Sequence, residues 1–230
     1  MKSLQIVTPH KKCIFNCPFC ISKSHSHNNC FENTYEKDFN KWKNNLEELI
    51  NNNSDLECVV ITGTNEPMQS KECVKDIINI VRNVNPNIRI EIQTRMYKPD
   101  DIYKLLDVTC YSISDFKIIN KIKVLGKTIR YVFILTDSFN NKRLEDIIKL
   151  IPKEVTQLTF KTLHNSNGLN KTLDAWIGEH KIENESLNNL INDINNYQGN
   201  LSIRKDLNCM DSTNRYKVFR EDANLYNDWN

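Results

Sequence analysis

The chain is poor in residues that break regular structure, with 5 Gly and 6 Pro among 230 residues. That scarcity excludes collagen-like and low-complexity classes. It also lacks any run of about 20 apolar residues, so no membrane span is expected. The opening Met1-Lys-Ser-Leu-Gln-Ile-Val-Thr-Pro-His10 is too short and polar for a secretory signal, and the expected location is cytoplasmic. Neither sign of charge is in excess. The 31 Lys and Arg against 29 Asp and Glu leave a net +2, which gives no strong nucleic-acid signal. What is present is a globular balance of 39% hydrophobic and 26% charged residues. In a reducing compartment the 8 Cys point to metal binding, catalysis or plain burial rather than disulfides.

The periodicity alternates between two kinds of element. Strand candidates cover Leu4–Thr8, Cys58–Thr62, Ile88–Thr94, Val108–Ser114, Ile129–Thr136, Val155–Leu163 and Leu201–Leu207. Between them lie helix candidates over Glu36–Asn51, Lys71–Asn83, Pro99–Leu106, Phe116–Lys123, Arg143–Leu150 and Ser186–Tyr197. In the first of these, Phe39, Trp42, Leu46 and Ile50 recur at helical spacing. Strands alternating with helices predict βα units and a mainly parallel α/β sheet. About seven strands are too few for a closed eight-fold barrel. The expected organisation is an open or partial barrel over 1–207, with 208–230 as a C-terminal tail or lid.

One motif carries chemistry: Cys13-Ile-Phe-Asn-Cys17-Pro-Phe-Cys20, a C-x3-C-x2-C spacing shortly after the first strand. Three thiolates within so short a loop can converge on one metal centre if the backbone curls around it. Iron–sulfur clusters are held by such thiolates. Three ligands for a four-iron cluster leave one iron open to an external ligand, which suits catalysis better than simple electron carriage. A second segment, Thr62-Gly-Thr-Asn-Glu-Pro67, ends the second strand with a glycine and a nearby carboxylate, Glu66. Such a strand end lets a ligand approach the backbone and pairs an ammonium with a carboxylate.

On these residues the chain, over about 4–207, resembles the radical SAM superfamily. The resemblance implies a partial (βα)6-type TIM barrel and a [4Fe-4S] cluster on Cys13, Cys17 and Cys20, with Phe19 beside the last of them. It implies S-adenosyl-L-methionine as the second cofactor. The Gly63, Thr64, Asn65 and Glu66 segment stands where the family holds the methionine amino group. It departs from the usual Gly-Gly-Glu-Pro by having Thr64 and Asn65 in place of one glycine. Thr94, Ser112, Ser114 and Thr136 stand where polar residues face the nucleoside, and Leu163 where an apolar residue packs on adenine. The implied activity is reductive cleavage of S-adenosylmethionine to a 5′-deoxyadenosyl radical that takes a hydrogen from a substrate. The implied electron donor is a flavodoxin or ferredoxin. A small molecule or nucleotide is the favoured substrate class; a glycyl-radical-enzyme activase or a peptide-modifying enzyme is the alternative.

The same cysteines allow a reading of another class, a non-catalytic zinc module completed by Cys30, His25 or His27. Cys58, Cys73 and Cys110 lie in apolar runs and are expected as small core residues. Cys209 is expected as a tail residue. Lys161 and Arg204 sit on strands where an inward charge needs a partner. Trp176 and His180 are candidates for lining a substrate pocket or for packing, and Asp115 and Glu91 for capping or solvation.

Overall fold

The computed structural model describes residues 1–23, 32–207, 216–227 and 229. Its centre is a nine-stranded sheet in the order β7-β6-β5-β4-β3-β2-β1-β8-β9. The first seven strands are β1 (Ser3–Thr8), β2 (Cys58–Gly63), β3 (Arg89–Thr94), β4 (Val108–Ile113), β5 (Thr128–Leu135), β6 (Val155–Thr162) and β7 (Ser202–Asp206). All seven run parallel. The sheet edges are not joined among the described residues, so the mostly parallel α/β sheet is an open, partial barrel.

Two more strands come from the segment expected as a tail or lid. β8 (Lys217–Phe219) adds parallel to β1, and β9 (Leu225–Tyr226) folds back antiparallel to it. Phe219 is buried with its ring 5.4 Å from that of Trp42, and the Trp229 Nε1–H donates to Gln5 Oε1 at 2.5 Å. These aromatics pack on the β1 side of the sheet.

The strands split their side chains by the period of two. Leu4, Ile6, Val59, Ile61, Ile90, Ile92, Tyr111, Ile113, Tyr131, Phe133, Leu158 and Phe160 form one core with the helices. The other face carries Gln5, Glu91, Cys110, Arg130 and Val132. A small apolar cluster lies there, of Val108, Cys110 and Val132 with Ile134.

The helices follow the apolar pattern with shifted ends. The expected first helix is two: α1 (Thr34–Lys37) and α2 (Phe39–Asn51). They break at Asp38, whose carboxylate accepts from Lys41 N and caps α2. α2 buries Trp42, Leu46 and Ile50, and α3 (Lys71–Val84) buries Val74, Ile77, Ile78 and Val81. Each such side chain contributes about 1.5–3 kcal/mol by leaving water. The segments expected as helices after β3 and β4 are 3-10 turns over Asp101–Leu105 and Phe116–Lys121, capped by Asp100 and Asp115. α4 (Leu144–Ile148) and α6 (Asn184–Asn195) match their predictions to within two residues. Between β6 and α6 lies a helix that the periodicity did not reveal, α5 (Lys171–His180), capped by Asn170. No helix among the described residues is long and apolar enough to cross a membrane.

Candidate active site

Parallel strands deliver all their carboxyl ends to one side, where ligand sites of α/β folds are built. The loop after β1 carries Cys13, Cys17 and Cys20, all half-buried free thiols. Asn16 makes the loop curl, taking a φ of 41° that asparagine tolerates better than most side chains. Between Cys17 and Cys20 the chain turns again, with Cys20 N donating to the Cys17 carbonyl at 3.2 Å. Gln69 staples the loop from outside. Its Oε1 accepts from Ile14 N and its Nε2 donates to the Lys12 carbonyl, both at 3.1 Å.

Beyond β2 stands Glu66, buried, with a carboxylate that accepts three hydrogen bonds. Thr94 Oγ1–H donates at 2.6 Å, Arg95 N at 2.8 Å and Met68 N at 3.1 Å. Burial still pushes its pKa above the usual carboxylate value. Glu66 therefore ties the end of β2 to the end of β3. Gly63 lies in register with Thr8, and a Cβ there would fall 2.8 Å from both Thr8 Oγ1 and Asn65 Oδ1. Those two oxygens are buried without a hydrogen-bond partner. Asn65 Nδ2 donates to the Pro9 carbonyl at 3.3 Å, while Thr64 Oγ1 reaches His10 Nδ1 at 3.0 Å.

The group that joins these pieces is Arg95, directly after β3. Its Nη1 donates to Cys17 Sγ at 2.6 Å and its Nη2 to Ser114 Oγ at 3.1 Å. The guanidinium carbon lies 5.7 Å from the ring centre of Phe15 and 5.6 Å from that of Phe19. Its Nε is buried without a partner. Burial pushes the Cys17 thiol above its ordinary pKa; Arg95 opposes the rise, and Cys20 and Cys13 add to it. The carbonyl of Ser114 accepts from Thr136 Oγ1 at 2.7 Å, and the carbonyl of half-buried Ser112 from Tyr97 Oη at 2.5 Å. Thr94, Ser114 and Thr136 are thus linked to the cysteine loop through Glu66 and Arg95. Leu163 follows β6, half-buried.

The loop also meets the far side of the sheet. The Phe19 ring lies 5.7 Å from that of Trp176 on α5, and Asn170 Nδ2 donates to the Lys23 carbonyl at 2.8 Å. Trp176 stacks in turn on His180, whose Nδ1 is 2.9 Å from Asp137 Oδ2 beyond β5. Two contacts therefore span from the β1 rim to the β6 side. Lys161 pairs with Asp206 at 3.0 Å, while Arg204 is exposed. Glu91 is neither a cap nor solvated: it is buried and paired with Arg130 at 2.8 Å. Cys58, Cys73 and Cys110 are buried, as expected. Cys30, His25, His27 and Cys209 lie outside the described residues.

Sequence reasoning missed Arg95, Gln69 and Tyr97. The one available signal was that Arg95 and Tyr97 follow Thr94 at a strand end, where functional side chains gather. Among the described residues no three His, Cys, Asp or Glu side chains converge closely enough to hold one metal ion. A zinc ion needs all its sulfurs about 2.3 Å from one point. A cluster gives each thiolate its own iron, and three half-buried free thiols on one curled loop are a donor set that suits it.

No protein-family model matches the chain. It is 26% identical over 199 residues to the GTPase Obg of Brachyspira hyodysenteriae, a match covering 73% of this chain and 29% of that protein's length. The nearest approach to a phosphate-binding loop is Gly126-Lys127-Thr128, with Lys121 where that motif needs its first glycine. It runs into strand β5 rather than a helix, and Lys127 lies 3.7 Å from Asp107. The fold is that of Streptococcus suis SuiB, at 14% identity and a TM-score of 0.62, over 98% of this chain and 59% of that one. The structure of Streptococcus suis SuiB bound to precursor peptide SuiA gives a TM-score of 0.61, again at 14% identity, over 98% and 58% of the two chains. The chain thus spans less than two thirds of each of these relatives.

Proposed function

We propose that this chain is a radical SAM enzyme, with a [4Fe-4S] cluster on Cys13, Cys17 and Cys20 and S-adenosylmethionine on the open iron. The observation that carries the reading is the convergence of the three-cysteine loop, Glu66, Thr94 and Ser114 on one hydrogen-bonded network at the carboxyl end of a partial barrel. Cys13, Cys17 and Cys20 would hold the cluster, which would supply one-electron reduction from an external donor, and S-adenosylmethionine would supply the nucleoside group for hydrogen-atom abstraction, with methionine as its leaving group.

The chain's own residues bind and orient. Gly63, Thr64, Asn65 and Glu66 receive the methionine end: the missing Cβ at Gly63 lets the side chains of Thr8 and Asn65 close against the backbone there. The unpartnered oxygens of Thr8 and Asn65 offer acceptors to the methionine ammonium. Glu66 holds Thr94 and the Arg95 backbone in place beneath it. Phe19, Thr94, Ser112, Ser114, Thr136 and Leu163 line the nucleoside side. The Phe19–Trp176 contact, with Asn170 on Lys23, ties the cysteine loop to the β6 side of the sheet.

We take a small molecule or nucleotide as the first substrate reading, because a loop tied across the rim in this way suits a compact ligand, with a flavodoxin or ferredoxin as electron donor. The second reading is a peptide substrate, supported by the shared fold with a protein whose structure holds a precursor peptide. The deciding experiment is anaerobic. The protein is reconstituted with iron and sulfide, then given S-adenosylmethionine and a strong reductant, and 5′-deoxyadenosine is assayed. A brown protein that makes 5′-deoxyadenosine supports the reading. A colourless, zinc-loaded protein that makes none overturns it.

A further inference from the structure

Arg95 is a half-buried cation, its Nε fully buried, with an unusual set of partners. A guanidinium out of water normally sits on a carboxylate, because an uncompensated buried charge costs several kcal/mol. Glu66 is close by, but it accepts from the Arg95 backbone rather than from the guanidinium. The guanidinium points instead at a sulfur, with Nη1 2.6 Å from Cys17 Sγ. Nη2 is used on Ser114 Oγ, and Phe15 and Phe19 flank the guanidinium. Of the groups around it, Cys17, Phe15 and Phe19 belong to the cysteine loop, while Ser114 and Tyr97 come from the sheet side. The anion that this cation is built to face is the cysteine thiolate.

We propose that Arg95 is the positioning residue of the cluster: it holds the middle cysteine in its ligating place and donates an N–H···S bond to it when the iron is bound. The inference rests on the reading of the loop as a [4Fe-4S] site. Its consequence is electrostatic. Hydrogen bonds to ligating sulfur and nearby positive charge favour the reduced cluster, which carries one more negative charge, and so raise its reduction potential. Arg95 also has the geometry for this task. The planar fork reaches Cys17 and Ser114 at once, and the rings beside it exclude water that would screen the charge. Lysine keeps the charge but not the fork.

The test is the midpoint potential of the reconstituted cluster, followed by electron paramagnetic resonance in a reductive titration, with iron and sulfide per chain measured on the same samples. Arg95→Met is expected to shift the potential to more negative values, and Arg95→Lys to fall between it and the wild type. Equal potentials in the wild type and Arg95→Met overturn the proposal while leaving the cluster reading intact. Should Arg95→Met not fold or not load iron, Arg95→Lys decides alone: an unchanged potential there, with the fork gone, overturns the proposal. A wild-type protein that takes up no cluster overturns both this proposal and the reading beneath it.

Discussion

Two arginines on this sheet each touch a cysteine sulfur, and they do opposite things. Arg130, on β5, donates to Glu91 at 2.8 Å and to Gln157 at 2.8 Å, with Cys110 Sγ at 3.5 Å. Its charge is matched by a buried carboxylate, and Glu91 also takes Arg89 at 2.8 Å. Burial pushes the Cys110 thiol up to about 12, so that cysteine stays protonated and inert. Arg95 has no carboxylate on its guanidinium, keeps a buried Nε without a partner, and turns one N–H on Cys17. One network is closed and complete. The other is open, with the unpartnered oxygens of Thr8 and Asn65 on the neighbouring strand ends. Complete networks hold a fold together; incomplete ones at the carboxyl ends of strands are where a ligand finishes the set.

The largest contrast should come from the sulfurs themselves. Cys17→Ala should abolish iron uptake on reconstitution, whereas Cys110→Ala should retain it; iron content of the two purified variants checks this. Unchanged iron in Cys17→Ala would contradict the cluster assignment. Next, Arg130→Met leaves the buried Glu91 with only the exposed Arg89 as its cation and should cost about 3 kcal/mol of stability. Arg95→Met strands no carboxylate and should cost about 1 kcal/mol, the worth of the hydrogen bonds lost. Urea unfolding of the two proteins measures the difference, and equal losses would erase the distinction drawn between them.

Gly63→Ala places a methyl 2.8 Å from the two open oxygens. Its expected effect is roughly tenfold weaker S-adenosylmethionine binding, about 1.4 kcal/mol, by calorimetry on the reconstituted protein. The smallest effect concerns pH. Burial raises the Glu221 carboxyl from its ordinary value to about 7, against the opposing pull of the His10 backbone amide. A raised pKa means that the folded state holds the proton more tightly. The stability this contributes is fully present below pH 4.5 and is lost as pH rises through about 7. Glu221→Gln should therefore flatten the fall in melting temperature across that window, and scans at pH 5 and pH 8 read it.

Much of the architecture is legible in the chain. Seven strands follow from β-branched runs with alternating burial, and α3 from Val74, Ile77, Ile78 and Val81. Three things were hidden, each for a reason. α5 buries only Leu173 and Ile177, too few apolar residues to mark a period. β8 and β9 are three and two residues long, and such strands exist only where a neighbour supplies the ladder. Asp38 reads equally well as a helix residue or as a cap, and only its bond to Lys41 N decides.

The candidate site divides the same way. The cysteine spacing, the Gly63–Glu66 turn and the polar strand ends are local features, so the linear order of residues was enough to name them. Arg95 is 78 residues from Cys17, and nothing in its neighbours along the chain says which way it turns. The sequence by itself determined which elements form and that their carboxyl ends carry cysteines, a carboxylate and hydroxyls, because propensity and periodicity act over a few residues. Only the tertiary structure decided that Glu66 would serve β3, that Arg95 would face a sulfur rather than an acid, and that Phe19 would meet Trp176 across the rim. Those pairings depend on strand order and on which charge is left without a carboxylate, quantities that exist only once the sheet has formed.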